Sequence, residues 1–236
     1  MQSTALITGG ARRIGAAIAT HLHQAGFRVV IHCHHSCHVA QALMDTLNQC
    51  RANSAVVLSA DLSVGQSLAQ LISDAVHWAG QLDVLVNNAS IFSRQDADWD
   101  RLFAVNVKAP YELSLAAYPH LVKTQGSIIN ITDTHARIPL KGYAVYSQTK
   151  AALAMQTKAL ALELAPHVRV NAVAPGAIIW PEGENGLTAE QQQSILSKTL
   201  LRRHGHPLFI AKAVLAFIEN PFMTGQTTTV DGGRYL

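Results

Sequence analysis

The feature that most constrains this chain is its alternation. Short apolar runs of four to six residues take turns with longer stretches of helical period, from one end to the other. Thr4–Ile7 reads as a buried strand that ends at Gly9-Gly10, and residues 12–25 as a helix stopped by Gly26. The pattern continues with strands at 28–33, 55–58, 83–86 and 127–131, one opening at 168–171, and a last one at 227–230. Between them, helices are predicted at 37–50, 63–78, 98–122 (distorted near Pro110), 143–165 and 207–219. The strands are apolar without strict alternation, as expected for a parallel sheet covered on both faces. Strand–helix alternation over the whole length predicts an α/β fold: one doubly wound domain, residues 1–236, with a parallel sheet of about seven strands and helices on both faces. The loop from Ile178 to about Thr188, with Trp180, Pro181, Gly183 and Gly186, is long and lies where a substrate lid would sit.

Composition narrows the function classes. Hydrophobic residues are 49% and charged residues 14% of 236, which supplies a sizeable core and excludes a disordered chain. A net charge of +3 gives no reason to expect a nucleic-acid or membrane-surface partner. The sequence holds no apolar run of about 18 residues, so no spanning helix is expected, and the start of the chain lacks signal-peptide anatomy. Three cysteines, an odd count, do not suggest a disulfide framework, and a reducing cytoplasm is the expected location.

Thr8-Gly9-Gly10-Ala11-Arg12-Arg13-Ile14-Gly15 follows the first strand and opens the first helix. Glycines there let the backbone turn sharply and approach a pyrophosphate, which the free N–H groups of the helix N-terminus then bind. The spacing is neither G-x-G-x-x-G nor a P-loop. It resembles the cofactor loop of short-chain dehydrogenases/reductases, and five later segments resemble that family in order. They are Asn87-Asn88-Ala89-Ser90, Asn106, the pair Tyr146-x3-Lys150, and Pro175-Gly176 with Asp231-Gly232-Gly233. The resemblance implies a Rossmann-type fold and a nicotinamide cofactor. It implies cofactor contacts at Gly9, Arg13, Ile14, His34, His35, Ser36, Asp61, Leu62, Asn88, Ala89 and Ser90. Asn106, Tyr146, Lys150, Pro175, Gly176 and Ile178 complete that set.

NADPH is the expected cofactor. An Asp or Glu at the end of strand two normally holds a ribose without a 2′-phosphate. That place reads His32-Cys33-His34-His35-Ser36, with no acid until Asp45. A metal site among His32, Cys33, His34, His35, Cys37 and His38 is the alternative. Neighbouring strand residues point to opposite faces, and no second cluster completes a tetrahedral set, so no metal is expected.

Tyr146 and Lys150 lie four apart in a helical stretch and share a face. A nearby cationic lysine is expected to lower the tyrosine pKa. Where the ordinary family member carries a serine, thirteen residues before the tyrosine, this chain has Asp133. If the strand continues, Thr132 and Thr134 face away from it. An ionised carboxylate would repel the oxygen of a carbonyl being reduced, and suits a C=N substrate or a proton relay to Tyr146. This exchange sharpens the resemblance to pteridine reductases of the bacterial type, as do the glycine loop, the HxHxS-type segment and Phe92. The resemblance then implies a pterin or dihydropterin substrate, dihydrofolate among the candidates. Asp133, Tyr146 and Lys150 would be catalytic. Arg13, Ser90, Phe92, Asp133, Tyr146 and Trp180 would contact the substrate. It also implies a homotetramer built on the helices at 98–122 and 143–165. The alternatives are a short-chain reductase acting on a ketone such as a 3-oxoacyl thioester, and a non-catalytic NADPH-sensing protein. Asp133 argues against the first, and the Tyr146–Lys150 pair against the second.

Overall fold

The computed structural model describes residues 2–94 and 98–235; the two ends of the expected domain and residues 95–97 lie outside them. Seven strands form one sheet: β1 (Thr4–Ile7), β2 (Arg28–Cys33), β3 (Ala55–Ser59), β4 (Val84–Asn87), β5 (Ser127–Ile131), β6 (Arg169–Pro175) and β7 (Thr227–Val230). All pairings are parallel, in the order β3-β2-β1-β4-β5-β6-β7. Among the described residues, eight α-helices connect or follow them: α1 (Arg13–Gln24), α2 (Cys37–Cys50), α3 (Gly65–Ala79), α4 (Trp99–Phe103), α5 (Ala109–Thr124), α6 (Ala144–Leu164), α7 (Ala189–Ser197) and α8 (Pro207–Glu219).

Side chains alternate across a strand, so a sheet covered on both faces needs two cores. On β1, Ile7 joins Ile18, Leu22, Ile31, Val86, Val214 and Phe217 under α1 and α8. Leu6 joins Val30, Leu85, Leu113, Leu121 and Leu160 under α3, α5 and α6. Each such residue is fully or almost fully buried, and a Leu→Ala change at one costs ~2–5 kcal/mol. β1 pairs with β2 on one side and β4 on the other, in register Leu6↔Val30 and Leu6↔Leu85. The chain therefore winds away in both directions from the β1–β4 pair. Ligands of such sheets bind at that split, beyond the strand C-termini.

Three features go beyond or against the expectations. The distortion expected near Pro110 takes the form of a break: α4 gives way to a π-helical turn at Ala104–Lys108 before α5 begins. Pro110 has no N–H to donate, and the Ala109 N–H reaches back five residues to the Ala104 carbonyl. The stretch after the 178–188 loop is helical. Thr188 caps α7 in a reciprocal box with Gln191, a Thr-x-x-Gln signal visible in the sequence. Lastly, Cys33 and Cys37 are paired as a disulfide, with Cα atoms 5.5 Å apart, and Cys50 is free. An odd cysteine count does not exclude a local bridge between the end of β2 and the start of α2.

Among the described residues, no helix is long and apolar enough to cross a membrane, and no group of three or more His, Cys, Asp or Glu is placed to hold a metal ion.

Candidate active site

The loops after β1 and β4 are stitched together at the split. Thr8 Oγ1 accepts from the Asn88 and Ala89 N–H groups at 2.9 and 3.0 Å. Asn88 Nδ2 donates to the carbonyls of Thr8 and Gly9 at 2.8 and 3.1 Å. A side chain at Gly15 would meet the Gly9 carbonyl at 2.2 Å, so only glycine fits there. His32, buried at the end of β2, braces this loop. Its Nδ1 accepts from the Gly9 N–H at 3.0 Å, and its Nε2 lies 3.1 Å from the Ala60 carbonyl. Burial lowers its pKa to about 4, so the ring is neutral at pH 7 and can accept that bond. The His32 side chain thus has a structural role rather than a ligand's.

A cavity of about 450 Å³ opens over the loop. Gly9, Arg13, Ile14, His34 and His35 border it on the β1–β2 side, and Asp61, Leu62, Asn88, Ala89 and Ser90 on the other. Ser36 instead stands at the start of α2, outside that lining. Asn106 is also outside it: buried in the π-helical turn, its amide bonds both backbone groups of Ile91 and the Thr149 hydroxyl. It holds the β4 loop against α6. Arg12 and Arg101 add two guanidinium groups to the rim that the motifs had not indicated. Hydrogen bonds from Ser63 hold the Asp61 carboxyl below its usual range, and His34 lies 3.8 Å from it. Three guanidinium groups and three imidazoles border it with one carboxylate, Asp61; Glu182 faces Arg12 and Arg13 from outside the lining, and the α1 start carries no acidic residue, an excess of donors that suits a polyanionic dinucleotide.

Arg13 has φ +54°, left-handed backbone that favours glycine. Its guanidinium donates to the Trp180 carbonyl at 3.0 Å and meets Glu182 Oε1 at 3.2 Å. The glycine loop is therefore tied to the 178–188 segment, which runs through a short turn at Gly183–Asn185. Glu182 was not legible as a site residue, since nothing in sequence marks a partner 169 positions away.

The residues expected to be catalytic meet where β5 ends. β5 stops at Ile131, and Asp133 caps a 3-10 turn at Thr134–Ala136, its Oδ1 accepting from the His135 N–H at 2.8 Å. The strand does not continue, so Thr134 does not face away: its hydroxyl lies 3.3 Å from Asp133 Oδ1. Thr132 bonds the Val173 carbonyl. The Tyr146 hydroxyl donates to Asp133 Oδ2 at 2.7 Å. Lys150 Nζ donates to the Ile131 carbonyl at 3.0 Å and lies 5.8 Å from the Tyr146 ring centroid.

The expected lowering of the Tyr146 pKa is overturned. Burial first, then the Asp133 charge and hydrogen bond, push it well above the ordinary value. Burial lowers Lys150 to about 8, with Asp133 opposing. The site thus holds a protonated phenol whose proton is hydrogen-bonded to a carboxylate, and the phenol can donate elsewhere only when that bond is released.

A second cavity of about 670 Å³ lies over this pair and shares Arg13, Ile14, Asn88 and Ser90 with the first. Phe92, Asp133, Tyr146 and Trp180 border it, as do Pro175, Gly176 and Ile178. The Trp180 ring packs on His204 at 4.4 Å between centroids. Arg94 and Asn185, absent from the expectations, also border it.

The short chain dehydrogenase family model matches residues 3–190. An uncharacterized oxidoreductase of Mycobacterium tuberculosis is 39% identical over 97% of this chain and 90% of that protein. Glucose 1-dehydrogenase 2 of Bacillus subtilis is 32% identical over 99% and 95%. A 3-oxoacyl-acyl-carrier-protein reductase of Staphylococcus epidermidis is 32% identical over the full length of both.

Proposed function

The chain belongs to the short-chain dehydrogenase family, and from that premise we propose that it is an NADPH-dependent pteridine reductase. The observation that carries the reading is the 2.7 Å bond from the Tyr146 hydroxyl to Asp133. A ketone reductase needs a neutral donor where charge develops on oxygen, and a carboxylate there repels it. A ring C=N develops no such oxyanion, and needs a proton on nitrogen.

Gly9, Arg13, Asn88 and Lys150 would hold the dinucleotide, and the absence of an acid after β2 favours the 2′-phosphate form. When bound, the reduced nicotinamide supplies a hydride to a ring carbon. Tyr146 gives the ring nitrogen its proton. A proton arriving on Asp133 reverses the Asp133–Tyr146 bond and leaves the phenol free to donate toward the substrate. Phe92 offers a face for a flat ring, and Arg13 and Ser90 flank it. Exposed apolar residues on α5 (Tyr111, Leu115) and α6 (Met155, Leu162) support a tetramer through those helices, and the same reading places the enzyme in the cytoplasm.

The named relatives favour a second reading, reduction of a ketone, because one is called a 3-oxoacyl reductase and none of the three cited names a pterin. NADPH oxidation measured with dihydrobiopterin, dihydrofolate and an acetoacetyl thioester decides between them. The proposal expects turnover of the dihydropterin well above that of the thioester. The reverse order replaces it with the second reading.

A further inference from the structure

We propose that Asn185, in the 178–188 segment, is a positioning residue that sets the substrate-stacking ring of Phe92 through Tyr143; the inference rests on the reading of the site as one for a flat heteroaromatic ring.

The geometry is a closed loop of contacts. Phe92 and Tyr143 stack with ring centroids 4.3 Å apart and planes 12° from parallel. The Tyr143 hydroxyl donates to Asn185 Oδ1 at 2.8 Å, and Asn185 Nδ2 donates to the Phe92 carbonyl at 3.1 Å. Arg94 Nε donates to the same hydroxyl at 2.7 Å. The phenol hydroxyl has one proton to give. With Arg94 donating to it, that proton goes to Asn185, which fixes the orientation of the amide and aims its N–H₂ at Phe92. The amide both accepts from Tyr143 and donates to Phe92 from this place.

The loop bears on the reaction through Phe92. That ring also meets Tyr146 edge-on, with centroids 4.8 Å apart, and keeps part of its surface on the 670 Å³ cavity. Tyr143 is buried behind it. A flat substrate laid on the open side of Phe92 is therefore placed, relative to the Tyr146 hydroxyl, by a ring that Tyr143 and Asn185 back. Reaction geometry tolerates displacements well below 1 Å, so a tilt of Phe92 reaches the proton transfer although Asn185 touches no reacting atom. An acyl chain gains nothing from a stacking face. The latch thus discriminates between substrate classes as well as closing the segment.

The test uses Asn185→Leu, Tyr143→Phe and the double variant of the full-length protein. Asn185→Leu is expected to raise KM for dihydrobiopterin roughly tenfold, the scale of two lost neutral hydrogen bonds, with a smaller fall in kcat. NADPH affinity and KM for an acetoacetyl thioester should change less than twofold, which general loosening of the fold would not spare. Tyr143→Phe keeps the stack and loses the shared bond, so the double variant should be no worse than Asn185→Leu alone. Additive losses, or equal effects on both substrates, overturn the inference. Amide hydrogen exchange across 183–188 reads the latch whatever the substrate. Unchanged exchange in Asn185→Leu overturns the latch. Faster exchange in a protein whose parent form ignores dihydropterins overturns the substrate reading and leaves the latch standing.

Discussion

Acidification should unfasten the cofactor loop through one buried ring. His32 is 2% exposed, its Nδ1 is the acceptor for the Gly9 N–H, and burial brings its pKa from 6.5 to about 4. The folded value lies below the unfolded one, so the unfolded chain takes up the proton first. The stability that the neutral ring supports is intact above about pH 6.5 and is lost as pH falls toward 4. At 1.36 kcal/mol for each tenfold change in proton affinity, the loss reaches ~2 kcal/mol by pH 5 and ~3 kcal/mol by pH 4. His32→Gln removes the titration while keeping an acceptor for Gly9 and a donor for Ala60. At pH 7.5 it should cost ~1 kcal/mol for less ideal bonds. Between pH 7.5 and 5 it should lose ~2 kcal/mol less than the parent. Urea unfolding of both proteins at several pH values measures the difference, and the other carboxylates and histidines cancel in the subtraction. Parallel stability curves would refute the reasoning, and the acid sensitivity of the fold would then belong to other groups.

Tyr146→Phe should leave NADPH binding nearly intact and lower kcat about 10²–10⁴-fold, the range for a lost general acid; a variant turning over dihydropterin at the parent rate removes Tyr146 as donor. Asp133→Ser should lose most dihydropterin reduction and gain a trace of ketone reduction, because a hydroxyl can donate to a developing alkoxide. It also removes the charge that helps to hold Tyr146 protonated, so the phenol should titrate lower, which ultraviolet difference spectra can follow. Lys150 titrates near 8 in the folded enzyme against 10.5 unfolded. Its cation is lost above about pH 8, so kcat/KM should decline there, while its contribution to stability improves between about 8 and 10.5. A kcat/KM profile flat to pH 10 contradicts a role for the cation.

The sequence alone determined the layers. Leu6 and Ile7 had to go to opposite sides of a sheet covered on both faces, and the apolar runs are readable because burial on both sides removes polar alternation. α2 and the first, second and fifth strands fall where the periodicity puts them. The glycine loop was legible for a local reason: closeness to the backbone demands glycine, as the 2.2 Å clash at Gly15 shows. Tertiary structure decided what depends on distance. Periodicity does not register the reset of the hydrogen-bond ladder before Pro110, nor the end of β5 that brings Thr134 to Asp133. Spacing put Lys150 beside Tyr146 and so suggested a lowered phenol pKa. Only the fold shows that the lysine bonds Ile131 while the carboxylate takes the hydroxyl, which reverses the sign. Arg13 was legible as part of the glycine-loop motif, but not its turn toward Glu182. Electrostatics and burial are properties of neighbours in space. A chain that brings residues 13, 92, 133, 146 and 185 to one cavity leaves little local trace of which of them touch.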